Sequence, residues 1–367
     1  MPDPRLERWA DVLVDYSVRV QSGQTVAIQG GVAAEPLLRQ LYRAVVDRGA
    51  FPIMVPDLSG LGAVLLGQGN DEQIRYISPV ERFLREEVDV SIRVMADTNT
   101  KALSAVDPSR QTLFQSARTE LFQTFMRRAA EGSLRWVLTL YPTEAYAQDA
   151  DMASEDHAAF VFAACKLDQP DPVAAWQTQS AENQRLIDWL AGKREVRLRG
   201  PDTDLTLSIE GRSWINAEGR RNFPDGEIFT GPVENATTGH VRFSFPAVTA
   251  GREVHDVRLR FEQGKVVDAS AGRNEDYLLQ TLDTDLGARF LGEFAFGTNF
   301  DITRFTKNIL FDEKIGGTVH MAVGSGYPDT GSRNTSAVHW DMICDLRQGG
   351  EVDVDGEPFL RDGRFVI

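Results

Sequence analysis

The chain has 367 residues, long enough for two domains, and its 42% hydrophobic and 25% charged residues describe an ordinary globular protein. A net charge of −15, from 39 basic and 54 acidic residues, argues against nucleic acid as a partner, since phosphate binding needs a concentrated cationic face. No run of about 18 apolar residues predicts a membrane span. The opening MPDPRLERWADVLVDYS has no apolar signal core, and two cysteines exclude a disulfide framework, which together predict a reducing, cytoplasmic setting.

Apolar residues at helical spacing predict a first helix over Leu6 to Tyr16. QTVAIQG (24–30) reads as a strand, 35–48 as a helix capped by Gly49, and 51–55 as the next strand, a βαβ unit and hence a parallel sheet. The theme repeats with a strand at 88–95, a helix over 108–131 and a strand at 134–140. Gly30-Gly31 lacks the three-glycine spacing of a dinucleotide loop and reads as a tight turn after the first strand.

A last helix, 174–190, ends at Gly192, after which apolar and polar residues alternate. Strands are predicted at 195–199, 205–210, 240–244, 253–261 and 265–269, with Gln263-Gly264 as a hairpin turn and one helix inserted near 275–282. The fold class is therefore α/β, with an N-terminal α/β domain on a mainly parallel sheet (1–193). A C-terminal α+β domain rich in antiparallel strands (194–367) follows it.

Chemistry concentrates in the second half. His157, in an acidic stretch, and His240 and His255, beside or within strands, have no matched partner nearby and read as structural. His320 is expected to end the apolar strand GGTVH, in a glycine-dense segment. His339 and Asp341 are two apart in VHWDMI, which on a strand turns both side chains to one face and suits a divalent metal. A structural hydrogen-bonded pair would give the same spacing, so its weight comes from company. Glu227 in FPDGEIFTGP and Glu293 in LGEFAFG both interrupt apolar, aromatic runs, where a buried carboxylate must be neutralised, hydrogen-bonded or metal-bound.

NFPDGEIFTGP, LGEFAFGTN, NILFDEKIGGTVHMAVGSGYPDTG and SAVHWDMICDL, in this order, closely resemble the signatures of the thermophilic metallo-aminopeptidase family, aminopeptidase T type. The resemblance runs from about residue 215 to the C-terminus and more loosely over the first half. It implies a two-metal exopeptidase that removes N-terminal residues from peptides with a free amino terminus, commonly as a homodimer enclosing its active sites. Carried over by motif, Glu227, Glu293, His320, His339 and Asp341 fall on the metal-ligand positions and Tyr327 on the active-site tyrosine. Glu313 lies in a family motif as a ligand, a base or a supporting group, and Glu293 or Glu313 would move the proton to the leaving amine. Two divalent ions per subunit are implied, with zinc, cobalt, magnesium and manganese all compatible with the donors. Phe296 stands where a leucine is expected. Phe122, Phe125 and Met126 are candidates for part of a dimer interface or for a plain core. A non-catalytic peptide- or metal-binding protein on the same fold is the competing reading, and a nucleotide-dependent enzyme using the βαβ region a third.

Overall fold

The computed structural model describes residues 3–249 and 252–367. The chain forms two compact units, residues 1–173 with 219–224 and residues 174–218 with 225–367.

The first unit is built on a five-stranded sheet in which every neighbouring pair is parallel. Its strands are, in spatial order, Phe51–Asp57, Thr25–Gly31, Val90–Met95, Arg135–Leu140 and Asn222–Phe223. The central strands bury apolar runs, Val26, Ala27 and Ile28 on one and Val90, Ile92 and Val94 on the next, as a sheet covered by helices requires. Gly30 and Gly31 complete the first strand, and packing accounts for both. A β-carbon on Gly31 would lie 2.7 Å from the Ala96 carbonyl oxygen, and one on Gly30 would lie 3.0 Å from Leu38 and Val94.

The expected 108–131 helix is two helices, Pro108–Ala117 and Thr119–Ala130. Arg118 between them leaves helical geometry (φ −102°, ψ 2°). Its guanidinium gains the carbonyls of Ile74, Phe114 and Tyr76 and both oxygens of Glu81. Phe125 is buried and Met126 packs against the same cluster, so of the three interface candidates only Phe122 is exposed.

The second unit holds an eight-stranded and a five-stranded sheet, both antiparallel throughout. One apolar cluster joins them, with Val196, Leu198, Leu205 and Phe261 from the larger sheet and Ile228, Phe294, Phe296, Met321 and Met342 from the smaller. Helix Pro172–Leu190 packs here too: Leu186 and Leu190 enter this cluster. Asn183 Nδ2 donates to the Glu227 carbonyl at 3.3 Å and Gln179 Nε2 to Thr298 O at 3.2 Å. The helix that the sequence assigned to the end of the first domain thus sits with the second unit. The run expected as one strand over 253–261 is two, Arg252–Val254 and Arg258–Glu262, because Asp256 turns through φ +53°.

Candidate metal centre

The five-stranded sheet has the order His339–Asp345, Thr318–Gly324, Leu291–Gly297, Glu227–Thr230, Ile215–Ala217. Side chains alternate between its faces. Val319, Met321 and Val323 enter the core from one strand, Trp340, Met342 and Cys344 from the next, and Ile228, Phe294 and Phe296 from the others. Glu227, Glu293, His320, His339 and Asp341 occupy the alternate positions and share the opposite face. His320 lies inside its strand rather than at the end, because the strand continues to Gly324.

Glu293 is on that face only because the strand carries a bulge. Leu291 is a core residue, so plain alternation would send Glu293 into the core as well. The register slips between Leu291, opposite Val323, and Glu293, opposite Ala322, and the extra residue Gly292 reverses the parity. A β-carbon on Gly292 would lie 2.4 Å from the carbonyl oxygens of both Gly324 and Ser325. Ala322 separates Glu293 from Asp341 along the ladder and leaves room above the sheet.

The imidazoles are fixed by backbone. His320 Nδ1 donates to the Glu313 carbonyl at 2.9 Å and His339 Nδ1 to the Ser325 carbonyl at 2.7 Å. A carbonyl only accepts, so the proton is on Nδ1 and Nε2 faces the carboxylates in each ring. His320 Nε2 lies 3.3 Å from Glu293 Oε1 and 3.4 Å from Glu227 Oε2. His339 Nε2 lies 3.6 Å from Glu293 Oε2 and 3.5 Å from Asp341 Oδ2. Each oxygen of Glu293 therefore faces a different histidine. Three sets of donor atoms lie within 4.8 Å of one another: Glu227, Glu293 and His320; Glu293, His339 and Asp341; Glu313, His320 and Asp341.

Glu227, Glu293 and His320 are buried, whereas His339 and Tyr327 are partly exposed at the edge of the site with their polar ends turned inward, so the site is approached from the His339 side. Tyr327 sits edge-on to His339 with ring centroids 5.3 Å apart, and its carbonyl accepts from the Thr330 N–H and hydroxyl at 3.0 and 2.6 Å. Burial pulls the His320 pKa down, but the hydrogen bond to Glu293 and the charges of Glu227 and Glu293 outweigh it and carry it to about 10. His339 moves up for the same reason, burial being overcome by Asp341 and Glu293. Burial pushes Glu227 well above the carboxylate range, against the pull of Lys314, and raises Asp341. Burial and then the surrounding carboxylates hold the Tyr327 hydroxyl protonated. Such a site favours added positive charge. The residues fit a cation on a second count: Glu227 Oε2 is buried without a hydrogen-bond partner.

The model of the thermophilic metalloprotease family M29 matches residues 2–365. The chain belongs to that family. This M29 protein is 28% identical to Aminopeptidase 2 of Geobacillus stearothermophilus, over 100% of the chain and 98% of that protein. It is 26% identical to Aminopeptidase T of Thermus thermophilus, over 99% and 98%. Wild-type AmpT from Thermus thermophilus has the same fold, with a TM-score of 0.86 at 25% identity and 99% of each chain covered. A 2,5-dihydroxypyridine dioxygenase from Pseudomonas putida KT2440 shares the fold at a TM-score of 0.58 and 13% identity, over 98% and 96% of the two chains.

The other histidines of the M29 chain lie elsewhere. His157 is buried on helix Ser154–Ala164 rather than in a loop, and His255 Nε2 has a partner in Glu253 at 3.1 Å. One buried charged residue of the centre has no role in the sequence reading. Lys314 is wholly buried, hydrogen-bonded to Glu313 and 3.8 Å from Glu227. No local signal marks it, because Asp312-Glu313-Lys314 in FDEKIGG has the look of a solvated charge run.

Proposed function

We propose that this M29 metalloprotease removes N-terminal residues from peptides using two divalent ions, one held by Glu227, Glu293 and His320 and the other by Glu293, His339 and Asp341. The chain is a metal-dependent aminopeptidase by family and by its full-length relatives. The non-catalytic binding reading is not favoured. The observation that carries the two-ion reading is Glu293, whose two oxygens lie 3.3 and 3.6 Å from the two imidazoles, as a shared carboxylate requires. Zinc, cobalt, magnesium and manganese all suit this mixture of oxygen and nitrogen donors.

When bound, a divalent pair supplies Lewis acidity that lowers the pKa of water and polarises the scissile carbonyl. The chain's own groups do the rest. The Tyr327 hydroxyl, held protonated, donates to the oxygen that gains charge during attack. Glu293 or Glu313 carries the proton to the leaving amine. The acidic surroundings attract a free α-amino group, which explains the need for an unblocked terminus.

Exhaustive treatment with a chelator is expected to abolish release of a chromogenic amino-acid amide, and divalent cation to restore it. Full activity after metal loss, verified by elemental analysis, would sink the reading. N-acetylated peptides are expected to resist cleavage, and equal rates on blocked and free peptides would point to an endopeptidase.

Two settings follow from the same reading. Exposed apolar side chains on the first unit, among them Phe51, Leu58, Leu61 and Phe122, support assembly as a homodimer, which light scattering over a concentration series tests. Cys165 and Cys344 are both buried and not in a disulfide, and among the described residues no helix is long and apolar enough to cross a membrane. Those features support a cytoplasmic enzyme, which cell fractionation tests.

A further inference from the structure

The reaction outlined above gives no role to Lys314, a buried ammonium among the carboxylates of the centre. This side chain is fully shielded from water, and a buried ammonium is tolerated only where carboxylates meet it. It cannot withdraw. Its N–H donates to the Phe311 carbonyl at 3.0 Å, and its own carbonyl accepts from the Asn299 N–H at 3.1 Å.

The two oxygens of Glu227 have different surroundings. Oε1 lies 3.8 Å from Lys314 Nζ, whereas Oε2 lies 3.4 Å from His320 Nε2 and has no hydrogen-bond partner. Glu313 links the two differently: its Oε1 accepts from the lysine, and its main-chain carbonyl accepts from His320 Nδ1 and orients that ring. The dipeptide Glu313-Lys314 thus meets both Glu227 and His320.

We propose that Lys314 is a positioning residue that holds Glu227 as a one-oxygen ligand, its charge drawing Oε1 across an ion pair of 3.8 Å so that only Oε2 reaches the cation beside His320. The proposal rests on the metal-site reading above. Its consequence is selectivity. A carboxylate that gives both oxygens belongs to cations with crowded shells such as calcium, whereas catalytic sites keep a position open for water or substrate. Lys314 keeps that position open and biases the site toward small cations of low coordination number.

The test uses the full-length protein loaded with cobalt(II). In its crystal structure Glu227 is expected to bind the ion through one oxygen with Lys314 on the other. In Lys314→Met, Glu227 turns both oxygens to the ion. The visible absorption per cobalt then falls, because six-coordinate cobalt(II) absorbs more weakly than four- or five-coordinate. Calorimetry is expected to show one of the two ions bound at least about tenfold more weakly and the other unchanged, the scale on which groups supporting a ligand act. Lys314→Arg, which keeps a cation, is expected to recover part of the spectrum. Two-oxygen binding by Glu227 in the unaltered protein, or a wild-type spectrum and wild-type affinities in Lys314→Met, overturns the proposal. No ion at all among Glu227, Glu293 and His320 would instead overturn the metal-site reading itself. The crystal structure of the unaltered protein decides between these outcomes even if the variant does not fold.

Discussion

His157 in the first unit and His320 in the second are almost equally hidden, at 2% and 0% exposure, yet they hold protons in opposite ways. Burial alone takes the His157 pKa down to about 4, and its Nδ1 has no hydrogen-bond partner. Around His320 the same burial is overcome by carboxylates, and the pKa rises to about 10. Low dielectric punishes a lone charge and strengthens a paired one. A buried histidine therefore marks a cation site only where acids converge on its free nitrogen, as at His320.

The contrast breaks most easily at Glu293, the acid common to both histidines of the centre. Glu293→Ala is expected to lower kcat by more than about 10³-fold while circular dichroism stays that of the folded protein, since a shared ligand is lost rather than a packing contact. Activity within tenfold of wild type would show that the two imidazoles do not depend on this carboxylate. Tyr327→Phe keeps the ring against His339 and removes only the donor, for an expected loss of about 10²-fold in kcat with KM little changed. A change confined to KM would assign the hydroxyl to substrate binding.

The smallest effect belongs to His157 and concerns stability. A histidine whose folded pKa lies below its unfolded value of about 6.5 contributes in full above pH 6.5, and that contribution is lost as the pH falls toward 4. The loss reaches at most about 3 kcal/mol. His157→Phe is expected to melt nearer to its neutral-pH midpoint when the pH drops from 7 to 5 than the unaltered chain does, with activity at pH 7 unchanged. Parallel melting curves for the two proteins would remove His157 from the account.

Much of this was legible because strands write their faces with a period of two. In TVHMAVG, Val319, Met321 and Val323 mark one face and leave His320 on the other, and the same alternation sets His339 and Asp341 together. The parallel sheet was legible from its strand-helix-strand spacing. What escaped depends on contacts distant in sequence. Nothing local announces that Arg118 collects the carbonyls of Ile74 and Tyr76 and so divides a helix. Helix Leu61–Gln68, LGAVLLGQ, offers no polar face to set against an apolar one, so periodicity could not find it. Lys314 reads as an ordinary surface lysine until Glu227 is folded against it.

The bulge at Gly292 gives the centre a dependence on counting. Substitutions along the Leu291–Gly297 strand change what a position does, but the gain or loss of one residue changes which side every later position is on. A residue gained between Gly292 and Glu293, with no second bulge to absorb it, would exchange Glu293 with the core and bring Phe294 out over the histidines, leaving the composition almost untouched and the chemistry gone. A catalytic surface written in this way can drift widely in residue identity while its length stays fixed, and length variation has to be taken up in the loops.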